Sequence, residues 1–460
     1  MIVNIARRAH DHNWELDPIT RSLLDTDFYK LLMLQFIWKH FPRTRASFAL
    51  QNRTTQVRLG EILVLDELRE QLDNTRKLRF HKSELIWLAG NTFYGKRGIF
   101  EPEFLEWLDR DFRLSDYELS VHDGQIALRF EGLWAETTLW EIYALSTIDE
   151  LKTRAALKNL SEFELDILYA RAKTRLWEKM ERLRGVPGLS VSDFGTRRRH
   201  SFLWHEYVVI AMRDVLGPSF TGSSNTFLAY KHDLEAIGTN AHELPMALAA
   251  LADTEDELRT AQYRLLDLWQ RTYQGELMIL LPDTFGTTQF LRNAPDWVAD
   301  WTGQRIDSKD PFTAGDEYIA WLEQRDRDPR RKRLIASDAL DVDRILALHA
   351  WFAGKILKGR PEDFRSAEDF LDERRWQPDR RIRFSAGWGT LLTNDFRNCN
   401  PRGSDGFNPI SLVCKLVEVE GRPAVKLSDN YQKAMGPAEE VERYRRVFGL
   451  EGIADIPVEA

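Results

Sequence analysis

Leu189-Ser190-Val191-Ser192-Asp193-Phe194-Gly195-Thr196-Arg197-Arg198-Arg199 decides the fold class. A short apolar strand ends in polar residues and three arginines, then gives way to an amphipathic helix carrying Phe202, Leu203, Ile210 and Val215. Strand, polar turn and helix recur downstream, with further strands expected at Ser219–Thr221, Glu235–Gly238, Leu277–Leu281, Gly303–Ile306, Leu334–Ala336 and Ile382–Ala386. Alternating β and α at this spacing predicts parallel strands, and seven of them suit a (β/α) barrel better than a two-layer sandwich.

Upstream the pattern differs. A helix is expected over about Thr26–His40, a strand over Ala46–Gln51, helical stretches up to Arg110, and alternating strands around Tyr117–Leu133. At the other end, Pro409–Leu427 reads as a hairpin turning at Glu420-Gly421, followed by a short closing helix. The chain thus divides into a mixed α and β region over 1–145, an α/β region over 146–408 and a C-terminal segment over about 409–460. Two mixed-sign charged stretches, Arg325–Arg333 and Lys355–Arg383, read as solvated connections, the second containing a surface insertion.

Composition narrows the function. The 460 residues suffice for roughly three domains, or one large α/β domain with a smaller one attached. A hydrophobic content of 43% with 15 Trp and 25 Phe excludes disordered and low-complexity classes. A net charge of −8 supplies no global field for nucleic acid or an anionic membrane, so an anionic ligand must be held by a local cluster. Cys399 and Cys414 are too few for a disulfide framework or a cysteine-based zinc site and fit a reducing compartment. Met1–Arg21 lacks the apolar core of a secretory signal, and no apolar run approaches the roughly 18 residues a membrane span requires. A soluble, cytoplasmic protein is expected.

In parallel α/β barrels the residues just past the strand C-termini gather at one mouth. Here these are Asp193, Arg197 and Arg198; Ser223, Ser224 and Asn225; His242; Asp283 and Thr284; Arg305 and Asp307; Asp338; and Gly387, Gly389 and Thr390. Guanidinium forks pair with carboxylate or phosphate, so Arg197-Arg198-Arg199 implies an anionic substrate, with at least one of the three expected to be only a solvated turn residue. Gly387-Trp388-Gly389-Thr390 either brings backbone N–H groups against a phosphate or makes a tight connection. Arg305 and Asp307 alternate on one face, suiting a sugar diol, a magnesium pyrophosphate or a surface ion pair. His242 opens a helix, either as a structural residue or as an acid, base or phosphoryl acceptor.

Taken in order, Asp25-Thr26-Asp27-Phe28-Tyr29-Lys30, Asp193–Arg198, Gly222-Ser223-Ser224-Asn225, Gly238–Glu243, Arg305-Ile306-Asp307-Ser308, Ser337-Asp338 with Leu340-Asp341, and Gly387–Thr390 resemble the nicotinate phosphoribosyltransferase family. The resemblance runs from about residue 22 to about 430. It implies a type II phosphoribosyltransferase fold: an irregular (β/α) barrel plus an α+β domain formed by the N-terminal region and the C-terminal strands. It also implies that nicotinate and phosphoribosyl pyrophosphate give nicotinate mononucleotide and pyrophosphate in NAD salvage. ATP hydrolysis through a phosphohistidine would drive this ligase-type reaction.

Carried over by position, Tyr29 and Phe194 would sandwich the pyridine ring, and Arg197 would address its carboxylate or a nearby phosphate. Arg305 and Asp307 would hold the ribose and pyrophosphate end, Asp338 the ribose, and Gly387, Gly389 and Thr390 the 5′-phosphate. His242 would carry the phosphoryl group. Mg²⁺ would ride on the substrate phosphates, without a dedicated protein cage. A monomer or a homodimer is compatible, since part of the family passes Tyr29 across a dimer interface.

Two positions depart from the family pattern: Lys309-Asp310 where Gly-Asp is frequent, and Ala339 where Asn is common. One alternative is nicotinamide phosphoribosyltransferase, but that branch carries an Asp at the position of Ser224, which would repel an anionic ring substituent. Ser224 therefore favours nicotinate. The other is a non-catalytic barrel binding nucleotides or sugar phosphates, which has no need of His242 beside the anion site.

Overall fold

A five-stranded antiparallel sheet and a six-stranded parallel sheet carry the fold. The computed structural model describes residues 18–353, 355–356, 376–377, 381–403 and 405–455, so most of the insertion expected within Lys355–Arg383 lies outside the described residues. The strands of the two sheets are β1 Arg45–Asn52, β2 Tyr117–His122, β3 Gln125–Leu133, β4 Val191–Asp193, β5 Phe220–Ser223, β6 Ile279–Leu280, β7 Gly303–Ile306, β8 Arg333–Ala336, β9 Arg383–Trp388, β10 Leu412–Val419 and β11 Arg422–Pro423. Four helices bear on the site: α1 Phe28–His40, α2 Trp140–Leu157, α3 Phe202–Leu216 and α4 Glu243–Ala250. No helix among the described residues is long and apolar enough to cross a membrane.

The antiparallel sheet runs β11-β10-β1-β3-β2 and unites the two ends of the chain. Phe48 of β1 lies opposite Leu416 on one side and Phe130 on the other. The alternation legible in β3 is a burial alternation: Ile126, Leu128 and Phe130 face inward, and Phe130 stacks on Trp140 with ring centroids 4.6 Å apart. The hairpin turn falls at Glu420-Gly421, where both residues have positive φ, as a tight two-residue connection requires. α2 runs unbroken through position 145.

The parallel sheet runs β5-β4-β9-β8-β7-β6. Register explains the convergence of polar residues at one end. Ile306, Ala336 and Ala386 are paired across β7, β8 and β9, so Asp307, Ser337 and Gly387 emerge side by side just beyond them. The strand expected at Glu235–Gly238 shrinks to a single parallel bridge from Ser223 to Ala236. The chain then passes α1 so closely that a Cβ on Gly238 (φ 153°) would sit 2.8 Å from the Tyr29 backbone nitrogen. Beyond it the Asn240 side chain donates to the Ile279 carbonyl at 3.0 Å. A side chain, not a backbone ladder, spans from this segment to β6 among the described residues.

The segment before α1 lies across the end of β5. Phe28 N donates to Ser224 O, Thr226 N to Thr26 O and Phe227 N to Leu24 O. Deeper in, Lys30 of α1 sits between Glu141 of α2 at 2.7 Å and Glu243 of α4 at 2.5 Å, and Lys415 of β10 reaches Glu141 at 2.5 Å. Trp134 Nε1 and Thr138 Oγ1 donate to the other oxygen of Glu243. Removing one member of a buried ion pair strands its partner's charge, at a cost of about 3–5 kcal/mol. Lys30→Met is therefore expected to lower the unfolding free energy by about that amount in urea denaturation.

Candidate active site

Asp193 shapes the turn after β4. One carboxylate oxygen accepts the Gly195 N–H at 2.8 Å; the other accepts Ser223 Oγ at 2.6 Å and meets His205 Nε2 at 2.8 Å. Burial opposes its ionisation, but these partners hold the carboxyl below its ordinary range. The turn presents Phe194 and Arg197. Gly387 and Gly389 make room for Phe194: a Cβ on the first would lie 3.1 Å from its ring, and one on the second 2.4 Å from its carbonyl oxygen. Their lack of a side chain is thus explained first by packing.

The three arginines part company. Arg199, which the sequence left eligible as a solvated turn residue, is fully buried and bonds Asp25 bidentately at 2.6 and 2.7 Å. Arg198 lies among Arg197, Asp149 and Asp338. Arg197 is partly exposed, with Nη1 3.6 Å from Glu141. None of the three is a freely solvated residue. Tyr29 arrives on α1 of the same chain, close to Glu141, Asp27, Arg197 and Arg305; burial and the two carboxylates push its phenol well above the ordinary range. Ser224 Oγ donates to Asp27 Oδ1 at 2.7 Å.

Across the mouth, His242 immediately precedes α4. Its Nδ1 is 2.9 Å from Thr284 Oγ1, and its Nε2 is 2.9 Å from Asp307 Oδ2 and 3.6 Å from Asp283 Oδ1. Burial, aided by Lys426, lowers its pKa against the pull of Asp283 and Asp307. Asp307 also accepts Ser337 Oγ at 2.9 Å; His242, Arg305 and Lys426 hold it well below the usual carboxylate range despite burial. Asp283 takes a hydrogen bond from Ser308 at 2.6 Å on one oxygen, while the other is buried without a hydrogen-bond partner among the described residues.

His242, Asp283 and Asp307 each offer a ligand atom within 4.8 Å of the others, a donor set able to hold a divalent cation. Arg305 has a buried Nε without a hydrogen-bond partner among the described residues, as suits a group that meets an anion. Asp338 pairs with Lys433 at 2.5 Å, and the Thr390 carbonyl accepts the Trp388 indole N–H at 3.0 Å.

The two departures from the family pattern have local explanations. Lys309 is engaged with Glu317 at 2.5 Å and Thr288 at 2.9 Å, and Asp310 caps the next helix by accepting from Thr313 N. Ala339 adopts a left-handed conformation (φ 47°), which Asn tolerates better than Ala. Sequence reasoning missed Lys30, Glu141, Glu243 and Lys415 as parts of the site's support. A signal existed: Glu141 is the one charge in the otherwise uncharged run Trp140–Ile148, so it needed a buried cation.

The model of the nicotinate phosphoribosyltransferase (NAPRTase) family matches residues 189–452, and that of the family's N-terminal domain matches residues 24–149. Among solved structures, the nicotinate phosphoribosyltransferase of Vibrio cholerae is similar at 29% identity and a TM-score of 0.77, over 95% of this chain and 96% of that one. The enzyme of that name from Porphyromonas gingivalis is similar at 27% identity and a TM-score of 0.75, over 94% of this chain and 100% of that one. The chain belongs to the nicotinate phosphoribosyltransferase family.

A left-handed alanine carries a steric cost of roughly 1–2 kcal/mol. Since Ala339 is exposed, Ala339→Asn is expected to stabilise the protein by about 1 kcal/mol, read as a rise in melting temperature.

Proposed function

We propose that this member of the nicotinate phosphoribosyltransferase family transfers the phosphoribosyl group of phosphoribosyl pyrophosphate to nicotinate. The products are nicotinate mononucleotide and pyrophosphate, the reaction serves NAD salvage in the cytoplasm, and ATP hydrolysis is coupled to it through His242. One observation carries the reading: the His242 imidazole is held between Thr284 and Asp307 at a mouth that also gathers Tyr29, Arg197 and Arg305.

The bond broken joins ribose C1 to pyrophosphate, and the nucleophile is the neutral pyridine nitrogen. Positive charge therefore builds on the ribose while the leaving group departs with negative charge. Tyr29 and Phe194 orient the ring, and Arg197 takes its carboxylate. Arg305, its Nε uncommitted, meets the pyrophosphate. Asp307 and Asp338 receive ribose hydroxyls, and Gly387, Gly389 and Thr390 receive the 5′-phosphate. Asp283 and Asp307 are the oxygen donors suited to Mg²⁺, which supplies charge neutralisation at the leaving group when it is bound with the substrate phosphates. Because Tyr29 reaches the mouth within its own chain, the geometry supports a site complete in a monomer.

For the coupled step, the imidazole proton rests on Nε2, which donates it to the ionised Asp307 Oδ2. This is a choice of tautomer. The Nδ1 lone pair, which accepts from the Thr284 hydroxyl in the resting site, then attacks the γ-phosphorus of ATP, the bond to the departing ADP oxygen breaks, and hydrolysis later returns free phosphate and imidazole. Arg305 and Lys426 lie close enough to offset the added negative charge.

Incubation with labelled nicotinate and phosphoribosyl pyrophosphate should yield nicotinate mononucleotide, faster with ATP; absence of product overturns the reading. His242→Asn should keep a slow ATP-independent transfer but lose both the stimulation and the acid-labile label taken up from γ-labelled ATP. Arg197→Ala should raise the nicotinate KM at least tenfold at an unchanged melting temperature, from loss of a charge-assisted contact worth roughly 2 kcal/mol. Asp307→Asn should instead weaken the phosphoribosyl donor and largely spare nicotinate.

A further inference from the structure

Ser224 keeps a carboxylate away from its own position, yet the fold brings one to its hydroxyl. Asp27, delivered by the segment that lies across β5, accepts from Ser224 Oγ at 2.7 Å; Asp27 is 2% exposed and Ser224 fully buried. Lys30, Lys415 and Arg197 are three cations meeting two carboxylates, Glu141 and Glu243, so one positive charge is in surplus. It resides on Arg197, the most exposed member of the set, while Arg199 is matched by Asp25 and Arg305 faces Asp307. Two further acids face Arg197: Asp307, which Arg305 already meets, and Asp27. As a carboxylate it cancels the surplus; as a neutral acid it leaves the surplus for an anionic substituent. A neutral Asp27 can also donate to Ser224 Oγ, releasing the serine proton toward the substrate.

We propose that Asp27, acting with Ser224, determines whether the pyridine pocket accepts an anionic or a neutral ring substituent, its neutral form being the one that admits nicotinate. This rests on the transfer to nicotinate proposed above. The groups facing Asp27 are Arg197, Arg199, Asp193 and Tyr29, with the hydroxyls of Ser224 and Thr196. Burial and Asp193 favour the neutral acid, Arg197 and the two hydroxyls favour the carboxylate, and burial prevails, so the group titrates above the ordinary carboxyl range. Anion acceptance is therefore present below that titration and lost as the pH rises through it.

The test is equilibrium binding of nicotinate and, separately, nicotinamide to the full-length protein by calorimetry, over a pH range in which nicotinate stays fully ionised. For the wild-type protein the nicotinate Kd should rise by about tenfold or more with pH while that of nicotinamide does not, the size expected for one charge-assisted contact. Asp27→Asn should bind nicotinate with a Kd that no longer depends on pH. Ser224→Ala removes a hydrogen bond that favours the carboxylate, so it should shift the same pH dependence upward. An identical pH slope in the wild type and Asp27→Asn, or an unmoved slope in Ser224→Ala, overturns this inference alone. Absence of nicotinate binding by the wild type at every pH overturns the proposed function as well.

Discussion

Lys30 is the charge around which the rest is arranged. It is fully buried, where desolvation acts against an ammonium, yet two carboxylates from different helices hold it protonated with its pKa raised. Each partner has further duties. Glu141 also meets Lys415 of the C-terminal strand and approaches Arg197, and Glu243 is the residue after His242 and takes the Trp134 and Thr138 donors. One ammonium thus links the N-terminal helix, the last long strand, the arginine of the mouth and the helix that carries the imidazole. A buried ion network is weak evidence for net stability, because an apolar substitute of similar volume often serves as well. The network joins four elements, so displacing any one of them parts a charged pair.

Much of the fold was legible in the residues. The strands at Gly303 to Ile306 and near Ala46, and the hairpin turn at Glu420-Gly421, follow from apolar periodicity and turn chemistry, both local properties. The segment Glu235 to Gly238 has strand composition, yet close passage of α1 leaves it a single bridge, and that is a tertiary constraint which no window of sequence contains. The position of His242 at a helix start was likewise readable, whereas its bond to Asp307 depends on which strands become neighbours.

The arginines and glycines show a subtler limit. Three successive arginines look equivalent in sequence, but the turn after β4 sends Arg199 inward to Asp25 and Arg197 toward Glu141. The glycines at the end of β9 read as either a phosphate loop or a tight connection; in the folded chain their bare Cα atoms accommodate Phe194. A residue type suited to a ligand was explained first by a neighbour. Composition states what a side chain can do, and topology chooses among the options.

The central position of β1, paired on one side with β10, carries a consequence for biosynthesis. During translation β1 leaves the ribosome well before its partner β10 and Lys415, with every strand of the parallel sheet made between them. At roughly 5–20 residues per second, the nascent chain spends tens of seconds with one edge of β1 unpaired and with Glu141 lacking one of its cations. A chain that stops before β10 keeps that edge open, a template for pairing with another chain.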